Sequence, residues 1–544
     1  MKLTFKNGTL SLILKTNYTK QVFRFFKDHD VVILVFYMTL ISVAAYIAFF
    51  NNGLGLAYND ARSHLNIGRR VVEGIQPGLA QLGSVWLPLP HILMIPTIWS
   101  EFMWHSGLSG ALQSMISYVA TAVIIYVFLK KIGTAMLGRL VAVMVFVFNI
   151  NVLYLQSTAM TELLLLATMT AGAYYLTMYF KEERVLSLIK SAFFIMLSTL
   201  VRYDGWFLLA FSVILLGVFL WKKYANKTVE GVVILFSTLA FFGVFLWFAW
   251  NTLIFRDPLY FIFGPFSAHA QQTQLEEAGT LPTKYNLLLS SKIYLYSLLY
   301  NSYTIPALLA FIGLILLLFG KKQPFSIKLG SLTLIAPLIF NILALFMGHS
   351  VLYVQGISGT TWFNIRYGVM LAPSIAIFVG YLFDRASKFK PLITGILGFI
   401  FLFAFISLDA VTIDDARFGS SQKNVTQVSN WLKEHASDTQ EFILISAASH
   451  DAIIFSSDLP MKRFIHEGTG DYWQSATSSP DRWAKWIVMR TYDINDLTFR
   501  LVKDSGVLDK YKIVGSFPFA DIYELEDSES RQLPNYSSLG QLKP

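Results

Sequence analysis

The sequence predicts an α-helical polytopic membrane protein of about eleven transmembrane helices, followed by a small C-terminal extracytoplasmic α/β domain. Three observations carry this. Of 544 residues, 55% are apolar, 15% aromatic and only 14% charged, a balance too apolar for an ordinary soluble domain. Apolar runs recur from Val31 to about residue 408, many near the roughly 20 residues that cross a bilayer at about 1.5 Å each. From Asp409 onward the composition turns to that of a soluble domain.

The net charge of +9 would suggest nucleic acid in a soluble protein. Here the basic residues fall mostly in short loops between apolar runs, where they set topology, so no nucleic-acid partner is expected. The absence of cysteine excludes disulfides, thiolate metal sites and a cysteine nucleophile.

Residues 1–30 hold six Lys or Arg and read as a basic amphipathic segment on the cytoplasmic surface. The run Val31–Phe50 is too long, and lacks the small residues after it, for a cleavable signal; it is the first crossing. Further crossings fall at roughly 108–129, 140–160, 161–180, 185–201, 205–221, 229–250, 303–319, 329–347, 367–383 and 391–408. With the N-terminus inside, the cytoplasmic connections carry Lys130, Lys131 and Arg139; Lys181, Arg184 and Lys190; Lys222, Lys223 and Lys227; Lys321, Lys322 and Lys328; and Arg385, Lys388 and Lys390. Every cytoplasmic connection therefore satisfies the positive-inside bias at once, and an odd count leaves the C-terminus outside. The expected location is the plasma membrane.

The apolar stretch Leu87–Trp104 contains Pro88, Pro90, Pro96 and Glu101, and counting it as a crossing would invert every later loop. It reads as a membrane-surface helix. Tight outer turns near Ser157–Glu162 and at Arg202-Tyr203-Asp204-Gly205 place their charged groups at the outer membrane edge. The transmembrane domain thus spans 31–409, with a first outer loop over 51–107. The domain 410–525 shows a helix at Val425–Glu434, a strand at Glu441–Ser446, a helix around Asp451, and strands at Trp486–Met489, Tyr511–Ser516 and Asp521–Leu525. Residues 526–544, rich in Ser, Pro, Gln and charge, read as a flexible tail.

Ionisable residues gather at helix ends and avoid mid-depth, where an ion-coupled transporter needs them. This points to chemistry at the outer surface. Asp60 precedes a helix-like run, so its carboxylate lies at a helix N-terminus, where the dipole favours the ionised form; spacing alone fits a plain N-cap equally well.

Asn59-Asp60-Ala61-Arg62 resembles the Asp-Glu-Ala-Arg start of the first outer loop in the C-type (GT-C) glycosyltransferase superfamily, which includes protein O-mannosyltransferases and lipid A aminoarabinose transferases. Trp86-Leu87-Pro88-Leu89-Pro90-His91 is similar to the proline-rich start of that loop's second surface helix, and Ala159-Met160-Thr161-Glu162 matches the family's second acidic position. The order of elements agrees through the membrane part. Asn59 stands where the family has its first acid, so a metal bridge between neighbouring acids is not expected, and no cofactor is required.

The resemblance implies an inverting transferase, embedded in membrane lipids, that moves one sugar from a polyprenyl-phosphate-sugar donor to an extracytoplasmic acceptor. On that reading Asp60 is the general base and Glu162 orients the acceptor or the base. Arg202 and Arg366, each flanked by aromatics at the outer end of an apolar helix, hold the donor phosphate; snorkelling or pairing with an acid such as Asp204 is the competing reading. His91, Lys284 and Lys292 are further phosphate candidates. The long outer loop over 251–300, with Phe255, Tyr260, Phe261, Phe263, Phe266, Tyr285 and Tyr294, reads as a cover over the donor site. An oligosaccharyltransferase would show Trp-Trp-Asp, which Gly470-Asp471-Tyr472-Trp473 does not match. A lipid or polysaccharide transporter and a non-catalytic scaffold are the other classes. The sugar and the acceptor, whether protein, lipid or glycan, stay open.

Overall fold

The computed structural model describes residues 2–6, 9–13, 29–264, 267–277, 279, 281–419, 425–493, 496–526 and 533–537. Eight helices among them are long and apolar enough to cross a membrane. The paired helices Leu287–Ser302 and Thr304–Phe319, bent by 109° to one another, make a ninth candidate. Leu89–Ile98, Met136–Val147 and Val185–Thr199 are shorter apolar helices, so eight or nine helices of the described residues meet the length for a crossing against the eleven expected. The segment after Leu87 forms only the short helices Leu89–Ile98 and Glu101–His105, as its prolines predict.

The connections rich in Lys and Arg meet at one end of the bundle. Lys130 donates to Asp30 at 2.6 Å, Lys181 to the Lys131 carbonyl at 2.5 Å, and Gln323 to the Ile132 carbonyl at 3.0 Å. Asp384 accepts from the Ala135 amide at 3.2 Å, and Glu183 pairs with Lys223. These contacts bring connections far apart in sequence to one face, which a miscounted helix would have split between two.

A helix break that sequence periodicity does not show lies near the opposite end. Residues 287–302, expected as loop, are helical, and the chain bends at Tyr303, whose φ is 62°. The bend frees the Asn301 carbonyl, which accepts from the amides of Asn149 at 2.8 Å and Asn151 at 3.3 Å. Such backbone is tolerated at membrane depth only when protein satisfies it. The Asn301 amide in turn donates to the Ile365 carbonyl at 2.7 Å, and Gly368 packs so closely that a Cβ there would collide with the Ser297 carbonyl. The start of the following segment, with Arg366, is thereby held in place.

Much of the remaining 251–300 region is also helical, with Tyr260–Phe263 and Ala268–Glu277. Phe255 stacks on Tyr260 at 4.4 Å and Phe261 is buried against Tyr203, Trp206, Trp247 and Phe248; Phe266 lies outside the described residues. The N-terminal region shows an antiparallel strand pair, Lys2–Lys6 with Thr9–Ile13; the rest of that basic segment up to residue 28 lies outside the described residues.

The C-terminal domain is a five-stranded sheet in the order Phe464–Ile465, Phe442–Ile445, Ala484–Met489, Asp521–Leu525 and Tyr511–Ser516. The first three strands are parallel and the last two antiparallel to their neighbours. Phe442–Ile445 is buried along its whole length, the mark of a strand covered on both faces. Helix Ala447–Ser456 docks this domain on the first outer loop: the Asn66 amide donates to the Asp451 carbonyl at 2.8 Å and carboxylate at 2.9 Å. Gln81 adds a bond to the Gly468 carbonyl at 2.8 Å. In the tail, Asn535 pairs with Glu441; residues 527–532 and 538–544 lie outside the described residues.

Candidate active site

Three carboxylates begin helices at the end of the bundle opposite the basic connections. Asp60 is the second residue of Asn59–Val72, Glu162 the first of Glu162–Glu182, and Asp204 the first of Asp204–Trp221. Helix N-termini favour negative charge. The arginines come from the intervening turns: Arg202 precedes Asp204, and Arg366 opens the 3-10 segment Ile365–Leu371.

These groups form one cluster. Arg366 donates through Nη2 to Asp60 Oδ2 at 2.5 Å and through Nε to Glu162 Oε1 at 3.1 Å. Arg202 Nη1 donates to the same Glu162 oxygen at 3.2 Å and its Nε lies 3.5 Å from Asp204. Glu162, fully buried, therefore couples two guanidinium groups that would otherwise repel. Their planes are supported by aromatic faces: Arg202 lies 4.7 Å from the Tyr367 ring centroid and Arg366 5.0 Å from that of Tyr58. The Asp60 side chain is 32% exposed against 4% for Arg366, so the cluster opens to its surroundings at Asp60.

Several buried polar atoms here lack a hydrogen-bond partner: Arg366 Nη1, Arg202 Nε, Glu162 Oε2 and Asp415 Oδ1. Buried groups of this kind are ordinarily satisfied by protein, water or ligand. Two are guanidinium N–H donors on adjacent arginines, a donor set suited to phosphate oxygens. Among the described residues, no group of three or more His, Asp or Glu is arranged to hold a metal ion; the arginines lie between the carboxylates.

Of the sequence-predicted residues, the structure brings Asp60, Glu162, Arg202 and Arg366 into mutual contact. His91 stands one layer away, its Nε2 2.8 Å from His64 Nδ1. Lys284 pairs with Glu276 at 2.5 Å, and Lys292 is exposed on Leu287–Ser302; neither shares an ion pair with the cluster among the described residues. Sequence reasoning missed Asp415, which lies 3.6 Å from Arg366 Nη1 and accepts from the Tyr58 hydroxyl at 3.2 Å. It also missed Tyr58 itself. Asp415 follows another aspartate in a stretch of soluble-domain composition, and nothing local separates the two.

No family model matches the sequence, and comparison with curated proteins finds no match. Solved structures do match. The crystal structure of ArnT from Cupriavidus metallidurans bound to undecaprenyl phosphate superposes with a TM-score of 0.54 at 10% identity, covering 90% of this chain and 98% of that one. The apo state of the same protein gives 0.50 at 10% identity with the same coverage. The archaeal oligosaccharyltransferase AglB from Archaeoglobus fulgidus, in complex with an inhibitory peptide and a dolichol-phosphate, gives 0.47 at 11%, covering 93% and 75%. The chain thus shares the fold of the Cupriavidus ArnT along nearly its whole length, as a multi-pass helical membrane domain with a small C-terminal sheet domain.

Proposed function

We propose that this protein is an inverting glycosyltransferase that moves a sugar from a polyprenyl-phosphate carrier to an acceptor outside the cytoplasm. The observation that carries the reading is the pair of guanidinium N–H groups held only by long contacts, Arg366 Nη1 3.6 Å from Asp415 and Arg202 Nε 3.5 Å from Asp204, beside the half-buried carboxylate of Asp60. The fold shared with a protein solved with undecaprenyl phosphate supports the same carrier class.

The acceptor hydroxyl attacks the anomeric carbon as the bond from that carbon to the phosphate oxygen breaks, and the hydroxyl proton passes to Asp60. The carrier phosphate changes from a singly charged diester to a more highly charged monoester, so charge develops where the two arginines converge. Donors preorganised for that charge stabilise the transition state more than the ground state. Glu162 sets the spacing of the arginines, which its position between them favours over contact with the acceptor. Asp60 Oδ2 is engaged by Arg366, leaving Oδ1 for the acceptor.

On this reading the Asp60 end is extracytoplasmic, because the opposite end gathers the Lys- and Arg-rich connections. The C-terminal domain docks at the Asp60 end and is extracytoplasmic with it. A reporter active only in the cytoplasm, fused after Leu525, stays silent; activity there removes the topology. Mass spectrometry of surface glycans from a deletion strain, complemented with wild type or Asp60→Asn, tests the activity and identifies sugar and acceptor together. A glycan profile restored equally by both forms removes the proposed chemistry.

A further inference from the structure

Beside the charged cluster lies a stack of three rings that the phosphate and proton chemistry does not use. His64 is four residues after Asp60 on the same helix, so the two share a face one turn apart. Its ring centroid lies 4.3 Å from that of Trp86, with planes tilted by 38°, and its Nδ1 is 2.8 Å from His91 Nε2. Burial, with the nearby charges of Arg366 and Arg202, drives the His64 pKa down to about 3, so the ring is neutral at neutral pH.

Trp86 is held in place from several sides. The Gly83 carbonyl accepts from Trp250 Nε1 at 3.0 Å, and the Leu89 amide donates to the Leu200 carbonyl at 3.0 Å, two residues before Arg202. Leu87 between them is buried with Trp247 and Phe261. Trp86 itself stays half-buried, its ring against His64, which feels the charges of Arg366 and Arg202.

We infer that Trp86 and His64 form the subsite for the donor's sugar ring. The inference rests on the proposed transferase reading. An indole face carries negative charge density, which suits the polarised C–H face of a sugar ring and not a phosphate. The hydrogen bond to His91 occupies His64 Nδ1 and leaves Nε2 for a ligand. Depending on which ring supplies the shared proton, Nε2 is a donor or an acceptor; a sugar hydroxyl satisfies either state, whereas a phosphate oxygen satisfies only one.

The test measures binding of bare polyprenyl phosphate and of polyprenyl phosphate carrying mannose or aminoarabinose, with the full-length protein in lipid nanodiscs. Trp86→Ala and His64→Gln lower affinity for the preferred sugar-bearing lipid about tenfold, while bare polyprenyl phosphate binds within twofold of wild type. Trp86→Phe, which keeps an aromatic face, recovers most of the loss. Equal losses for both lipids, or no loss for either, overturn the subsite while leaving the transferase reading intact. Wild-type protein that binds neither lipid class overturns both.

Discussion

The two ends of the bundle both gather charge, and they do so in opposite ways. At the basic end the lysines are exposed, Lys130 at 46% and Lys223 at 49%, while their partners Asp30 and Glu183 are 10% and 31% exposed. At the other end, Arg366 and Glu162 are 4% and 0% exposed; buried polar atoms without a hydrogen-bond partner occur at both ends, Arg366 Nη1 and Glu162 Oε2 here and Arg139 Nε and Arg385 Nε at the basic end. Exposed pairs contribute little to stability and serve orientation in the membrane. A buried, incompletely paired cluster costs stability unless something else completes it. On the proposed reading, the lysine-rich end places the chain and the arginine cluster does the chemistry.

That contrast is broken most directly at Asp60. Asp60→Asn keeps size and a side-chain oxygen for Arg366 but cannot take a proton, so transfer in reconstituted bilayers falls by on the order of 10²–10⁴-fold, while donor binding persists. Wild-type turnover in this variant would reduce Asp60 to a structural partner of Arg366. Arg202→Ala and Arg366→Ala come next. Each removes a charge-assisted contact of roughly 1.5–3 kcal/mol, a loss of about ten- to hundredfold in donor use, with partial rescue by lysine. Unchanged donor kinetics in both alanine variants would assign the arginines to architecture.

Between the two ends in expected effect lies the seam to the C-terminal domain. Asp451→Ala strips the carboxylate partner from Asn66 and Arg70 and should destabilise by about 1–3 kcal/mol. Denaturant unfolding followed by Trp fluorescence reads this, and an unchanged midpoint would mean the domain docks by other contacts. The same domain holds His466, whose pKa burial and then Arg70 push down to about 3 from 6.5. The unfolded chain binds this proton more readily, so the contribution is complete above about pH 6.5 and declines as pH falls toward 3. Melting temperature should therefore drop between pH 7.5 and 5, less steeply in His466→Gln; a flat wild-type profile would contradict it. The smallest effect is expected at the basic end, where Lys130→Ala shifts stability by less than roughly 1 kcal/mol. A larger shift would show that this end is also a structural core.

Much of the cluster was legible because ionisable residues are scarce in an apolar chain. Asp60, Glu162, Arg202 and Arg366 stand out at helix ends, and all four converge. Lys284 and Lys292 were drawn in by the same scarcity, but position in a loop carries no direction, and the fold pairs Lys284 with Glu276 and leaves Lys292 exposed. The strand expected near Tyr511–Ser516 and the final run Asp521–Leu525 both form strands in the sheet. The two-residue strand Phe464–Ile465 had too little length for any period to register.

The sequence by itself determined the alternation of apolar runs and basic connections, and with it which residues share an end of the bundle, because hydrophobic length and loop charge are local quantities. Only the tertiary structure decided that Arg366 reaches Asp60 across 306 residues of sequence, that Asp415 joins them, and that the chain bends at Tyr303. Those outcomes depend on which buried donors and acceptors find each other. In a low-dielectric interior an unpaired polar group is costly, and that cost is settled between distant segments rather than along the chain.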